Sequence, residues 1–211
     1  MYGYYRYRRG ISFSSRELKD IMISVLVLTT CFTLARIWGA WNALDIQVAI
    51  QLFMISFFAV LTAFLLHELA HKFTANYYGY WAEYRASYFF LLIAFACSLF
   101  LGFVFAAPGA VVIAGYLSRR ENGIISAAGP FTNLMIAVIL LPATFLLPLT
   151  GFLNATVGTV IYVNLFIAGF NMIPFGNIDG AKVLAWKWWV WLLMVIAICA
   201  TFVAFIHPPL V

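Results

Sequence analysis

Charge is what this sequence has least of. Only 9% of its 211 residues are Asp, Glu, Lys or Arg, while 65% are hydrophobic; soluble domains are roughly half apolar and about a quarter charged. That shortage excludes a soluble fold, because a chain of this size has no interior able to hide so much apolar surface. The bilayer must be part of its solvent. The length suits one membrane domain and leaves no room for a sizeable soluble module. Cysteine is scarce too. Cys31, Cys97 and Cys199 lie in separate apolar runs, which excludes paired metal-ligand spacing and reads them as small buried hydrophobes. A cleavable signal peptide is not expected either, since the first apolar run starts late and is long enough to remain as an anchor.

The charge that is present is placed unevenly. The net charge is +5, and Arg6, Arg8, Arg9, Arg16 and Lys19 crowd the first twenty residues, directly before an apolar run. Such a tail reads as a topology signal and a contact for anionic lipid. No nucleic-acid partner is expected, because no binding fold or basic stripe accompanies it.

The apolar runs fall at about 21–38, 50–75, 88–117, 124–149, 157–175 and 188–206. Five of them suit single crossings by helices of about 20 residues. The run 88–117 is longer and broken by Gly102, Pro108, Gly109 and Gly115. With the N-terminus in the cytoplasm, the positive-inside rule keeps Lys72, Arg85, Arg119 and Arg120 on that same side only if this run crosses an even number of times. A re-entrant hairpin is the simplest solution, and irregular backbone at membrane depth then needs protein or a wet cavity around it. Eleven of the twelve Lys and Arg residues are cytoplasmic on this layout, Arg36 being the exception. Within the hairpin, residues 109–115 read equally as a β-branched, Gly-bounded strand or as an apolar loop. The expected fold class is an all-α membrane protein, a polytopic bundle of five to six transmembrane helices with a re-entrant hairpin or short membrane-associated strand segment. Residues 1–20 form its cytoplasmic basic segment, 21–206 the single membrane domain with a catalytic core at about 50–185, and 207–211 the tail. An integral, multi-pass protein of the cell membrane is expected; the sequence gives no reading of oligomeric state.

The sharpest signal is His67-Glu68-Leu69-Ala70-His71, an H-E-x-x-H motif. Residues four apart share a helical face, so His67 and His71 can bind one metal ion. Glu68, one step round the helix, can take a proton from the water that the ion activates. In a soluble helix this motif arises by chance fairly often. Here the preceding residues are apolar, and ionisable groups at membrane depth cost several kcal/mol, roughly, unless partnered. A catalytic zinc uses three protein ligands. Of the seven acids, Glu17, Asp20, Glu83 and Glu121 sit in cytoplasmic segments beside basic residues, and Asp45 is expected outside. Asp179 is left, at the inner end of span 157–175 and at the depth of the histidine pair. The rival ligand, His207, reads as an interfacial residue beside Pro208 and Pro209 at the outer end of the last span. Around Asp179, Pro174 and Gly176 interrupt the helix and free backbone groups, while Asn171 and Asn177 add amides; an ordinary helix end with a turn explains that context equally well.

Taken together, His67-Glu68-Leu69-Ala70-His71, Asn171-x-x-Pro174-x-x-x-x-Asp179-Gly180 and Gly129-Pro130-Phe131-Thr132-Asn133 resemble the motifs of the site-2 protease family of intramembrane zinc metalloproteases, over about residues 50–185. The resemblance implies one Zn2+ held by His67, His71 and Asp179, Glu68 as general base, and Asn133 and Asn171 holding substrate or the developing oxyanion. It also implies peptide hydrolysis within transmembrane segments of membrane proteins, with the active site toward the cytoplasm. The family's small cytoplasmic β-sheet between its first two core helices is not evident, because run 88–117 occupies that interval; neither a PDZ-like insertion nor a regulatory domain is legible. Competing readings are a catalytically inactive zinc-binding relative and an ion- or proton-coupled transporter; no inverted repeat favours the latter. A haem bundle is excluded by the shared helical face of His67 and His71.

Overall fold

The computed structural model describes residues 12–39, 45–104 and 108–207. The chain folds as a helical bundle with a small two-stranded sheet. Among the described residues five helices are long and apolar enough to cross a membrane: Ser15–Ile37, Ile46–Tyr77, Arg119–Leu146, Gly151–Asn171 and Trp188–Ile206. This is a multi-pass membrane protein.

Helix α1 (Ser15–Ile37) begins before the apolar run because Ser14 caps it, its Oγ accepting from the Glu17 N–H at 3.1 Å. Glu17 and Asp20 are buried rather than solvated. The second span is three pieces: α2 (Ile46–Val60), a single π-helical turn at Leu61–Leu65, and α3 (Leu66–Tyr77), which carries the His-Glu motif. Such turns occur mostly as isolated bulges, often at functional sites.

Beyond α3 come β1 (Trp81–Ala86), α4 (Tyr88–Leu101) and β2 (Gly109–Ala114). The strands pair antiparallel from Trp81↔Ala114 to Ala86↔Gly109. The apolar run 88–117 therefore leaves from the end of β1 and returns to the rung it left, so it makes no net crossing. Gly102, in the left-handed region at φ 66°, ends α4 and starts the return. The region 109–115 is a strand over most of its length, and the interval between the first two core helices does contain a sheet. That corrects the apparent departure from the family pattern: the missing partner was Trp81–Ala86, a charged stretch outside the apolar run.

Helix α5 (Arg119–Leu140) starts with a reciprocal capping box between Ser118 and Glu121. A short turn, α6 (Ala143–Leu146), follows Pro142. Then come α7 (Gly151–Asn171), α8 (Asp179–Trp186) and α9 (Trp188–Ile206). Helix α5 packs against α3, α7 and α8. Fully buried alanines, Ala59 and Ala63 on the second span, Ala137 on α5 and Ala168 on α7, let these helices approach closely, the usual basis of helix contact in lipid.

One end of the bundle is where the polar chemistry gathers. The start of α1, the end of α3, the sheet, the start of α5 and α8 meet there: Lys72 Nζ lies 2.5 Å from Glu17 Oε2 and donates to the Ser12 carbonyl at 2.7 Å, Glu17 Oε1 accepts from the Tyr84 N–H at 3.0 Å, and Asp20 accepts from the Tyr88 hydroxyl at 2.8 Å. Arg36, toward the opposite end of α1, instead donates to Thr159 Oγ1 at 2.6 Å.

Candidate metal centre

His67 and His71 lie on the face of α3 turned toward α5, 4% and 7% exposed. Their Nε2 atoms are 3.0 Å apart. Asp179, the first residue of α8, brings Oδ2 to 3.1 Å from His71 Nε2 and 3.5 Å from His67 Nε2. Metal–ligand distances of about 2.0–2.1 Å set at tetrahedral angles place ligand atoms about 3.3 Å apart. The three edges of this triangle bracket that value.

The tautomers follow from the hydrogen-bond network. His71 Nδ1 is 2.7 Å from the Ile125 carbonyl, which can only accept, so Nδ1 carries the proton. Asn133 Nδ2 donates to the Ala63 carbonyl at 2.8 Å, which fixes the orientation of the amide and turns Oδ1 toward His67 Nδ1 at 2.6 Å. His67 Nδ1 is therefore also a donor. Both Nε2 lone pairs then converge with a carboxylate oxygen on one point. Three acceptors this close repel one another unless a cation lies between them. The donor set and the N–H partners behind each imidazole suit zinc.

Glycine makes room for this arrangement. A Cβ on Gly129 of α5 would lie 2.4 Å from His71 Nε2 and 2.6 Å from His67 Nε2. Immediately after it, Pro130 offers no N–H to the carbonyl of Ser126. Next to Asp179, Gly180 seats α8 against the end of α7, where a Cβ would meet the Met172 carbonyl oxygen at 2.3 Å. Pro174 and Gly176, the latter at φ 60°, form the turn that swings Asp179 back toward α3.

Beside the triangle lies a cavity of about 490 Å³. His67, Glu68, His71 and Asp179 line it, together with Asn171, Asn177 and Lys182, the β2 segment Gly109–Val111, and apolar groups such as Phe64, Phe90 and Ile167. Glu68 Oε2 is buried without a hydrogen-bond partner, an expensive state for a carboxyl oxygen unless a ligand or water completes it. Asn171 reaches the cavity edge, its Nδ2 donating to the Ile167 carbonyl at 3.0 Å. Asn133 does not line the cavity. It is fully buried, and both ends of its amide are engaged within the protein. His207 caps the end of α9 and is not part of the ligand cluster.

Two participants escaped the sequence reading. The Ile125 carbonyl holds His71, and a backbone group leaves no residue signature. Asn164 of α7 accepts from Asn133 Nδ2 at 3.1 Å and donates to Thr62 Oγ1 in the π turn at 3.0 Å. A lone intramembrane Asn was the available signal, since buried polar side chains need partners.

No family model matches the chain, and no solved structure matches it. Among curated proteins it is 40% identical over 184 residues, 85% of this chain and 88% of the relative, to a Methanocaldococcus jannaschii protein named "putative zinc metalloprotease".

Proposed function

The chain belongs to the same zinc metalloprotease family as that archaeal relative, and on this premise we propose that it is an intramembrane endopeptidase of the site-2 protease type, cutting transmembrane segments of membrane proteins. The observation that carries the reading is the His67–His71–Asp179 triangle opening onto a cavity lined by Glu68, whose Oε2 is buried without a partner, among described residues that include five membrane-length helices. His67, His71 and Asp179 would hold one zinc ion, which supplies a Lewis acid able to polarise a carbonyl and to lower the pKa of water to about 7. Glu68 accepts the proton of the water that adds to the scissile carbonyl and delivers it to the leaving amine. Asn133 keeps His67 in the Nδ1–H tautomer, and Asn171 stands where substrate backbone enters.

A helical substrate has its carbonyls tied up in internal hydrogen bonds. It must be presented extended, and β2 offers a place for that. Among the described residues the strand pairs with β1 alone, which leaves its other edge open to a further strand, and Gly109, Ala110 and Val111 line the cavity. An extended segment added along this edge would run past Glu68. Orientation follows from charge. Arg16, Lys19, Lys72, Arg85, Arg119, Arg120 and Lys182 belong to the elements that meet at the site's end of the bundle, and Lys187 follows α8; this supports the reading of that end as cytoplasmic.

The test is metal analysis of the purified protein alongside cleavage of a model transmembrane peptide, for the natural sequence and for Glu68→Gln. Both proteins are expected to hold one equivalent of zinc, and only the natural one to cut. Undiminished cleavage by Glu68→Gln refutes the base assignment; zinc without cleavage in the natural protein makes it an inactive zinc-binding relative.

A further inference from the structure

Addition of water to a peptide carbonyl drives an electron pair onto the carbonyl oxygen, and the largest single catalytic effect is usually a donor already aimed at that charge. Asn133, expected to share this task, is turned into the protein by its bonds to His67 and Ala63. Asn171, the other candidate, donates to its own helix. The cavity holds a stronger group. Lys182 is the one Lys or Arg among the described residues that line it.

Its placement is specific. Lys182 follows Asp179 by three residues on α8, so the two share a helical face. Its Nζ lies 3.6 Å from Asp179 Oδ1, while Oδ2 is the oxygen turned to the histidines. That separation is too long for a full hydrogen bond. An ammonium has three donors, so Lys182 has N–H groups to offer the cavity. Its side chain is 35% exposed, enough freedom to follow a ligand. The carboxylate meanwhile holds the stem on the side of the ligand triangle.

We propose that Lys182 is a catalytic residue: its ammonium hydrogen-bonds the scissile carbonyl oxygen and stabilises the oxyanion. This rests on the protease reading above. The water oxygen bonds to the carbonyl carbon, the π pair moves onto the carbonyl oxygen, and Glu68 takes the water's proton. When the pair returns, the C–N bond breaks and Glu68 gives that proton to the amine. Lys182 keeps its own protons throughout and contributes charge alone.

The rival role is that Lys182 only neutralises Asp179, and the two roles separate experimentally. Full-length Lys182→Met and Lys182→Arg are compared with the natural protein for bound zinc, for kcat and KM on a transmembrane peptide, and for inhibition by a phosphinic analogue of that peptide, whose tetrahedral oxyanion mimics the addition step. Lys182→Met should keep its zinc and its KM, lose about 100-fold in kcat, and bind the phosphinate more weakly by a similar factor; Lys182→Arg should recover part of both. The proposal is overturned if Lys182→Met retains kcat within about threefold, or if its rate falls only in step with lost zinc, the mark of a mere charge partner; should the Met protein not fold, a Lys182→Arg protein that keeps zinc and gains no more activity than Lys182→Gln overturns it as well. A natural protein that binds zinc yet cuts no peptide refutes the protease reading and this assignment with it, whereas an active natural protein with an equally active Lys182→Met refutes this assignment alone.

Discussion

Replacing Gly129 with alanine should abolish high-affinity zinc binding while leaving the unloaded protein folded. The added carbon would sit 2.4 Å and 2.6 Å from the two Nε2 atoms, against a comfortable separation of about 3.5 Å. Something must therefore yield by roughly 1 Å. The imidazoles are poorly placed to do so, because Ile125 and Asn133 pin them through Nδ1, and both belong to the same helix as Gly129. A metal tolerates ligand displacements of only about 0.2 Å. At least one histidine ligand should be lost, weakening affinity by about 100-fold or more, equivalent to about 2.7 kcal/mol. The backbone preference runs the other way, since alanine favours a helix interior over glycine by about 1 kcal/mol. The assay is competition against a chromophoric zinc chelator in detergent, with helicity followed by circular dichroism. A folded Gly129→Ala protein that binds zinc within about threefold of the natural one would refute the geometric argument, because the site would then not occupy the space in front of Gly129.

Removing the acceptor behind His67 with Asn133→Leu should cost about 10–100-fold in zinc affinity, with Asn133→Asp, which can still accept from Nδ1, recovering part; equal affinities in the same chelator competition would dismiss the tautomer argument. Lys72→Met leaves Glu17 buried without its cation and should destabilise by about 3–5 kcal/mol, read as faster thermal inactivation in detergent. The Glu17→Gln/Lys72→Met pair should regain much of that loss, and a double variant no more stable than the single would show that the ion pair is not the cause.

The sequence made the candidate cluster legible because its members are rare polar residues in apolar surroundings: with four of the other acids beside basic residues and Asp45 expected outside, Asp179 is left at the depth of the histidine pair. Orientation within the site was less accessible. Asn133 carries a family motif and was expected to face substrate, but the direction of an amide is decided by which carbonyl is nearest, and Ala63 settled it from another helix. Glu17 and Asp20 read only as acids of a cytoplasmic segment next to Arg16 and Lys19; folding buries them against β1, where they accept from the Tyr84 and Ala86 N–H groups. The strand at 81–86 went unrecognised because its charged residues made no apolar run, although Trp81-Ala82-Glu83-Tyr84-Arg85-Ala86 supplies the pairing that β2 needs. Helix ends deviated for similar reasons: α1 starts at a Ser cap outside the greasy stretch, and α5 stops short of its own because Pro142 follows.

The π turn at 61–65 has a consequence for how the second span can vary. A wider turn accommodates one residue beyond α-helical count, and each residue advances the winding by about 100°. Rewinding all five residues of Leu61–Leu65 as ordinary α-helix would give a smoother rod whose lower half is rotated by that angle, swinging the histidine pair off α5. A locally irregular backbone thus sets the azimuth of the whole motif, and of the two forms of this helix the more regular one would be the one unable to hold a metal.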